Sequence, residues 1–195
     1  MSRKSNFWIS AAVTLAAVLA ACATPLYADS IEEKVQVCAG CHGADGKPVD
    51  KTIPTIWGQQ AGYIYIELRD FKRGDRKSDI MQPIASSLER QDMLDIAEYF
   101  SKKPFPDLGQ PRAAKDVSTR AVNANQSIGC TGCHLDHFQG DGTVPRLAGM
   151  GRDYLIKQMT DFRSRARGNN PGMSDLMIAT APDDLAALAD YLAGL

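Results

Sequence analysis

A pentapeptide, Cys38-Ala39-Gly40-Cys41-His42, recurs as Cys130-Thr131-Gly132-Cys133-His134, and the matches continue when the chain is compared with itself at a shift of 91–92 positions. Asp45-Gly46 corresponds to Asp141-Gly142 after a four-residue insertion. Pro54, Gly58 and Tyr63 meet Pro145, Gly149 and Tyr154, while Asp70-Phe71 and Arg76 meet Asp161-Phe162 and Arg167. Further on, Met81 meets Met173, and Ala97-Glu98-Tyr99-Phe100 meets Ala189-Asp190-Tyr191-Leu192. A repeat of this kind means that one small unit is used twice. Between the copies, Lys102 to Pro111 holds three prolines and a glycine, which break periodic structure and suit an exposed connection. The units are therefore read as 29–103 and 113–195, joined over 104–112. Each is about 80 residues, a size at which a hydrophobic core alone is marginal and a staple or cofactor is usually needed.

Residues 1–28 have a different character. Arg3 and Lys4 give a positive start, Phe7 to Ala23 run apolar and small, and no acidic residue precedes Asp29. This is the pattern of a secretory signal. The run from Phe7 to Leu19 is shorter than the roughly 20 apolar residues of a membrane span, and no later stretch approaches that length. Cys22 follows Leu19-Ala20-Ala21, which resembles a bacterial lipobox and would make Cys22 the lipidated first residue of the mature chain. The alternative is a cysteine discarded with a signal cleaved after Ala23 or Ala28. Of 22 Lys and Arg against 23 Asp and Glu, Arg3 and Lys4 lie in this segment, which leaves a mildly acidic remainder without a basic stripe. Nucleic acid is excluded as a partner on that ground.

Coarse periodicity is helical. Ser30-Ile31-Glu32-Glu33 reads as a capping box opening a short helix up to Cys38. Apolar residues recur at helical spacing in Tyr63–Phe71 and again in Tyr154–Phe162. The same period marks Asp92–Phe100 and Asp183–Leu192, with Pro182 suited to a first helical turn. No segment alternates as a strand.

Two cysteines three positions apart can each form a thioether to a vinyl group of one haem, and the histidine after the second then lies beneath the iron. Cys38, Cys41, Cys130 and Cys133 are the expected attachment residues, and His42 and His134 the proximal ligands. A zinc ribbon would bring its cysteine pairs within roughly 15–20 residues, far closer than Cys41 and Cys130 stand. A thiol redox pair does not call for a histidine in that place twice. Covalent haem attachment also takes place outside the cytoplasm, in agreement with the export signal.

The opposite face of each iron can be argued by elimination. His137, the third histidine, follows His134 by three residues and is tethered on the proximal side. A second histidine ligand is thus excluded for at least one haem. Methionine, whose soft thioether favours ferrous iron, is the remaining strong candidate. Met93 falls in the first turn of a helical pattern and Met159 takes the core position of Leu68, so both read as packing. Met81 and Met173 each precede the tyrosine of the last helix, Tyr99 or Tyr191, by 18 residues, and this pair alone respects the duplication. Met177 is the rival in the second copy, because Asp175-Leu176-Met177 mimics Asp79-Ile80-Met81.

The two motifs, their spacing to Met81 and Met173 and the tyrosine-bearing final helices resemble the dihaem cytochrome c4 family over nearly all of residues 31–195. The resemblance implies an all-α fold of two tandem class I cytochrome c domains related by a pseudo-twofold axis, holding two covalently bound haem c groups near the domain interface. It also implies that the carbonyls of Pro54 and Pro145 accept hydrogen bonds from the proximal imidazoles. The insertion Asp136–Gly140 departs from the first copy. Arg69, Lys72, Arg73 and Arg76, with Arg163, Arg165 and Arg167, read as solvated helix ends, with a docking patch as the alternative. Trp57 reads as haem-pocket packing and His137 as a surface residue.

The function expected is periplasmic electron transfer between a quinol-oxidising complex and a terminal oxidase or reductase. The alternatives are a dihaem subunit of a flavin-containing dehydrogenase and a dihaem peroxidase. A peroxidase needs an exchangeable iron, and usually more histidines and a longer chain.

Overall fold

The computed structural model describes residues 30–195, so the leader over 1–28 and Cys22 lie outside the described residues. Two hydrophobic cores form, each drawn from its own copy of the repeat. One gathers Val35, Ile64, Leu68, Met93, Ile96, Ala97 and Phe100. The other is built around Tyr154, Leu155, Phe162, Leu185, Leu188 and Leu192.

In the first half Ser30 caps α1 (Ile31–Lys34) as expected: its hydroxyl accepts from the Glu33 amide while the Glu33 carboxylate accepts from the Ser30 amide. The helix does not run on unbroken. It turns at Val35, whose side chain enters the core, and resumes as α2 (Gln36–His42). α3 (Ala61–Arg73) buries Ile64, Leu68 and Phe71 at the i, i+4, i+7 spacing of a single face. That face packs on α5 (Arg90–Ser101) and on the short α4 (Met81–Ser86), and α1 lies against α5.

The second half repeats the plan with a longer entry. α6 (Lys115–Ile128) leads to α7 (Thr131–His134), then α8 (Arg152–Arg163), α9 (Pro171–Ala179) and α10 (Pro182–Ala193), with Pro182 in the first turn. α10 packs on both α6 and α8, and α8 also packs on α9. Among the described residues no strand forms, and Asp141 and Val144 make an isolated antiparallel bridge. No helix among them is long and apolar enough to cross a membrane.

The connecting segment is extended but not free. Gln110 donates to the carbonyls of Gly149, Met150 and Ala193, and its own side-chain oxygen accepts from the Arg152 amide at 2.7 Å. The Phe105 ring lies 4.3 Å beneath the Arg146 guanidinium. The proline-rich stretch is therefore a strap seated on the second half. The insertion is likewise more than surface: Phe138 is 3% exposed in the second core, edge-on to Tyr191.

Candidate haem sites

Each pentapeptide presents its thiols on one side of a short helix. Cys38 and Cys41 stand three residues apart in α2, hence on one face, and His42 closes the helix. Cys130 immediately precedes α7 with helical backbone angles, so it keeps the same spacing to Cys133 before His134 ends that helix. All four are free thiols. Burial pushes the thiols of Cys38 and Cys130 up.

Both histidines are buried, at 7% and 6% exposure. His42 Nδ1 lies 2.7 Å from the Pro54 carbonyl oxygen and His134 Nδ1 lies 2.9 Å from that of Pro145, the contacts that the resemblance implies. A carbonyl can only accept, so Nδ1 carries the proton and Nε2 keeps a lone pair. Burial lowers both imidazole pKa values, with the carbonyl hydrogen bond opposing it, and the neutral ligating form is favoured. Asp45-Gly46, repeated in both halves, has a steric reason in the first: Gly46 adopts φ 82°, and a Cβ there would stand 2.7 Å from the Trp57 ring.

The methionines separate into two environments. Met81 and Met173 are half-buried and pack against the first and second cores, as Cys38 and Cys130 respectively also do. Their amides are held alike: the Met81 N–H donates to Ser78 Oγ and the Met173 N–H to Asn170 Oδ1, each at 3.1 Å and each three residues back. Met177, by contrast, is 2% exposed inside the second core, and Met93, Met150 and Met159 are buried as well. Trp57 packs against the first core, and His137 is exposed. The residues present fit two haems: each half brings a thiol pair and an imidazole with its Nδ1 already engaged, and carries a thioether at the core margin. A zinc site finds no such donors, since among the described residues no three of His, Cys, Asp and Glu come together.

The arginines divide in a way the sequence did not show. Arg73 and Arg165 are exposed, as read. Lys72 donates to the Leu88 carbonyl and Arg163 to those of Met177, Ile178 and Thr180, so these repeat-equivalent cations hold the chain just beyond α4 and within or just beyond the end of α9. Arg76 and Arg167 are neither solvated helix ends nor a docking patch. They cross between the halves: Arg76 donates to Glu67 at 2.6 Å and to Gln158 of the second half at 2.7 Å. Arg167 donates to Gln158 at 2.8 Å, to Glu67 of the first half and to the Tyr63 hydroxyl at 3.2 Å. Burial alone would lower both guanidinium pKa values, but Glu67 and the two tyrosines outweigh it and both cations are held above their ordinary value. Across the same junction, Gln59 exchanges hydrogen bonds with the Arg146 backbone, Gln60 donates to the carbonyls of Gln139 and Gly140, and Asn169 donates to Glu67 and Asp70.

A family model described as cytochrome c matches residues 33–102. Cytochrome c4 of Azotobacter vinelandii is 32% identical over 180 residues, covering 83% of this chain and 86% of that protein. A protein of Stutzerimonas stutzeri named thiosulfate dehydrogenase electron acceptor is 34% identical over 169 residues, covering 81% and 78%. The crystal structure of reduced recombinant cytochrome c4 from Pseudomonas stutzeri superimposes with a TM-score of 0.74 at 29% identity, covering 85% of this chain and 96% of that one.

Proposed function

Because the chain belongs to the cytochrome c4 family, whose members are electron carriers with two covalently bound haem c groups, we propose that it shuttles electrons in the periplasm from a quinol-oxidising complex to a terminal oxidase or reductase. The observation that carries the reading is the pair of buried histidines, each with Nδ1 tied to a proline carbonyl and Nε2 left to a metal. Bound haem supplies a one-electron iron couple. The chain's own residues do the rest. Cys38 and Cys41, with Cys130 and Cys133, tether the two groups. His42 and His134 are oriented and made more basic by their carbonyl partners. Met81 and Met173 complete the sites with a thioether that favours ferrous iron and raises the potential. With an imidazole and a thioether both engaged, each haem would be closed to substrates, which leaves electron transfer as its task.

An alkaline pyridine assay on protein stripped of loose cofactor gives two haems per chain on this reading, and one haem, or bound zinc, removes it. Mass spectrometry of protein from its native host decides the anchor: an acylated Cys22 ties the carrier to the membrane, and a free N-terminus between Thr24 and Asp29 makes it diffusible.

A second reading, electron acceptor of a dehydrogenase, is favoured by the relative whose name states that role. The two readings part on co-purification with a dehydrogenase from the native host, which the respiratory shuttle does not require.

A further inference from the structure

Four side chains close a ring at the junction of the two halves. Arg76 and Arg167 each donate to both Glu67 and Gln158, so the two guanidinium groups alternate with the two acceptors. The repeat relates the members pairwise at a single shift: Arg76 to Arg167, Tyr63 to Tyr154, and Glu67 to Gln158. The tyrosines follow the same exchange, the Tyr63 hydroxyl contacting Arg167 at 3.2 Å and the Tyr154 hydroxyl contacting Arg76 at 3.4 Å. The ring is twofold in its donors and broken in its acceptors, one a carboxylate and the other a neutral amide.

We propose that Glu67 is a determinant of the difference in redox potential between the two haem centres. The inference rests on one haem being held in each half. Glu67 is 8% exposed, on α3, which packs against α4 carrying Met81. Gln158 occupies the same place on α8, which packs against α9 carrying Met173. A buried charge is screened less than a surface one, and a negative charge stabilises the ferric state and lowers the potential of the nearer iron. The two arginines exchange under the pseudo-twofold axis, so their effects on the two centres cancel in the difference. Asp70, paired with Arg69 and bonded to Asn169, has a carboxylate as its counterpart as well, in Asp161. Within the ring only position 67 against 158 remains unbalanced, and it lowers the first centre relative to the second.

Two variants test this. Glu67→Gln makes the acceptors alike, and Glu67→Gln combined with Gln158→Glu moves the carboxylate to the second half while conserving net charge and the ring's acceptor atoms. Potentials are read by spectroelectrochemical titration, with the haems assigned by paramagnetic NMR and haem content measured on the same samples. The potential of the first centre minus that of the second rises in Glu67→Gln and rises about twice as far in the exchanged variant, because the charge then acts with opposite sign on the difference. Full haem content with a difference unchanged in both variants overturns the inference and leaves the dihaem reading standing. So does an exchanged variant that returns the original difference, since total charge and not its position would then be at work. A sample with one haem per chain overturns both.

Discussion

An imidazole whose Nδ1 donates to a backbone carbonyl has one ring nitrogen left to offer, and in this chain that arrangement occurs twice, at His42 and His134. For the second side chain that each haem would take as a ligand, environment has to be weighed against local sequence. Asp175-Leu176-Met177 is the better local mimic of the first copy, but Met177 is packed away at 2% exposure whereas Met173 is only half-buried against that core. If both irons carry methionine, the oxidised protein shows a weak near-infrared sulfur-to-iron band, and Met81→Ala or Met173→Ala each removes about half of it and opens that iron to carbon monoxide. Met177→Ala leaves the band intact and costs about 2–5 kcal/mol of stability instead, as truncation of a buried methionine does. Loss of half the band in Met177→Ala would shift the ligand by four residues. The paired thiols and the histidine after each pair were legible in the sequence because their spacing is local. The ring arginines were not, because Arg76 and Arg167 follow a helix in sequence as solvated residues do, and what buries them is the other half of the molecule.

Helices announced themselves in proportion to the size of the side chains they bury. α3, α5, α8 and α10 carry Leu, Ile, Met, Phe or Tyr on a single face and were read to within a few residues. α6 went unread, since its fully buried residues are only Ala121 and Ala124, Val117 and Ile128 are partly buried, and most of the remainder is polar or charged. Such a helix is fixed by its partner, so Leu188→Ala in α10, 1% exposed, should cost about 2–5 kcal/mol in denaturant unfolding. The first half has a pH-sensitive counterpart at Asp92, which joins α5 to α1 through Lys34. The Lys34 hydrogen bond, aided by the Glu89 amide, holds this carboxyl below its usual value. A depressed carboxyl pKa stabilises the fold above the unfolded value of about 3.9 and loses that contribution as pH falls through the native value. Asp92→Asn should therefore cost less than about 1 kcal/mol at neutral pH, the pair being partly solvated, with the deficit vanishing in acid. A deficit independent of pH would assign it to the helix cap alone.

At the scale of the whole molecule, two haem domains act as one carrier only if they stay docked, and the docking rests on backbone proximity as well as on the arginine ring. Gly62, in the first turn of α3, faces Gly142 so closely that a Cβ there would stand 2.6 Å from the Gly142 carbonyl oxygen. Its neighbours Gln59 and Gln60 bond across the same gap. Glycine in a helix costs roughly 0.5–1 kcal/mol relative to alanine, so on propensity alone Gly62→Ala would stabilise α3. Contact with a main-chain oxygen at that distance cannot be relieved by rotating a side chain, and the loop over 139–146 must move. The steric cost should win at the interface while the propensity gain remains within α3. Gly62→Ala is then expected to keep both haems and the full near-infrared band, to raise the radius of gyration measured by small-angle X-ray scattering, and to make the strap over 104–112 easier to cleave by protease. An unchanged radius of gyration with unchanged cleavage would mean that the loop yields without undocking, and that the arginine ring with the Gln59 and Gln60 contacts is sufficient to hold the two halves together.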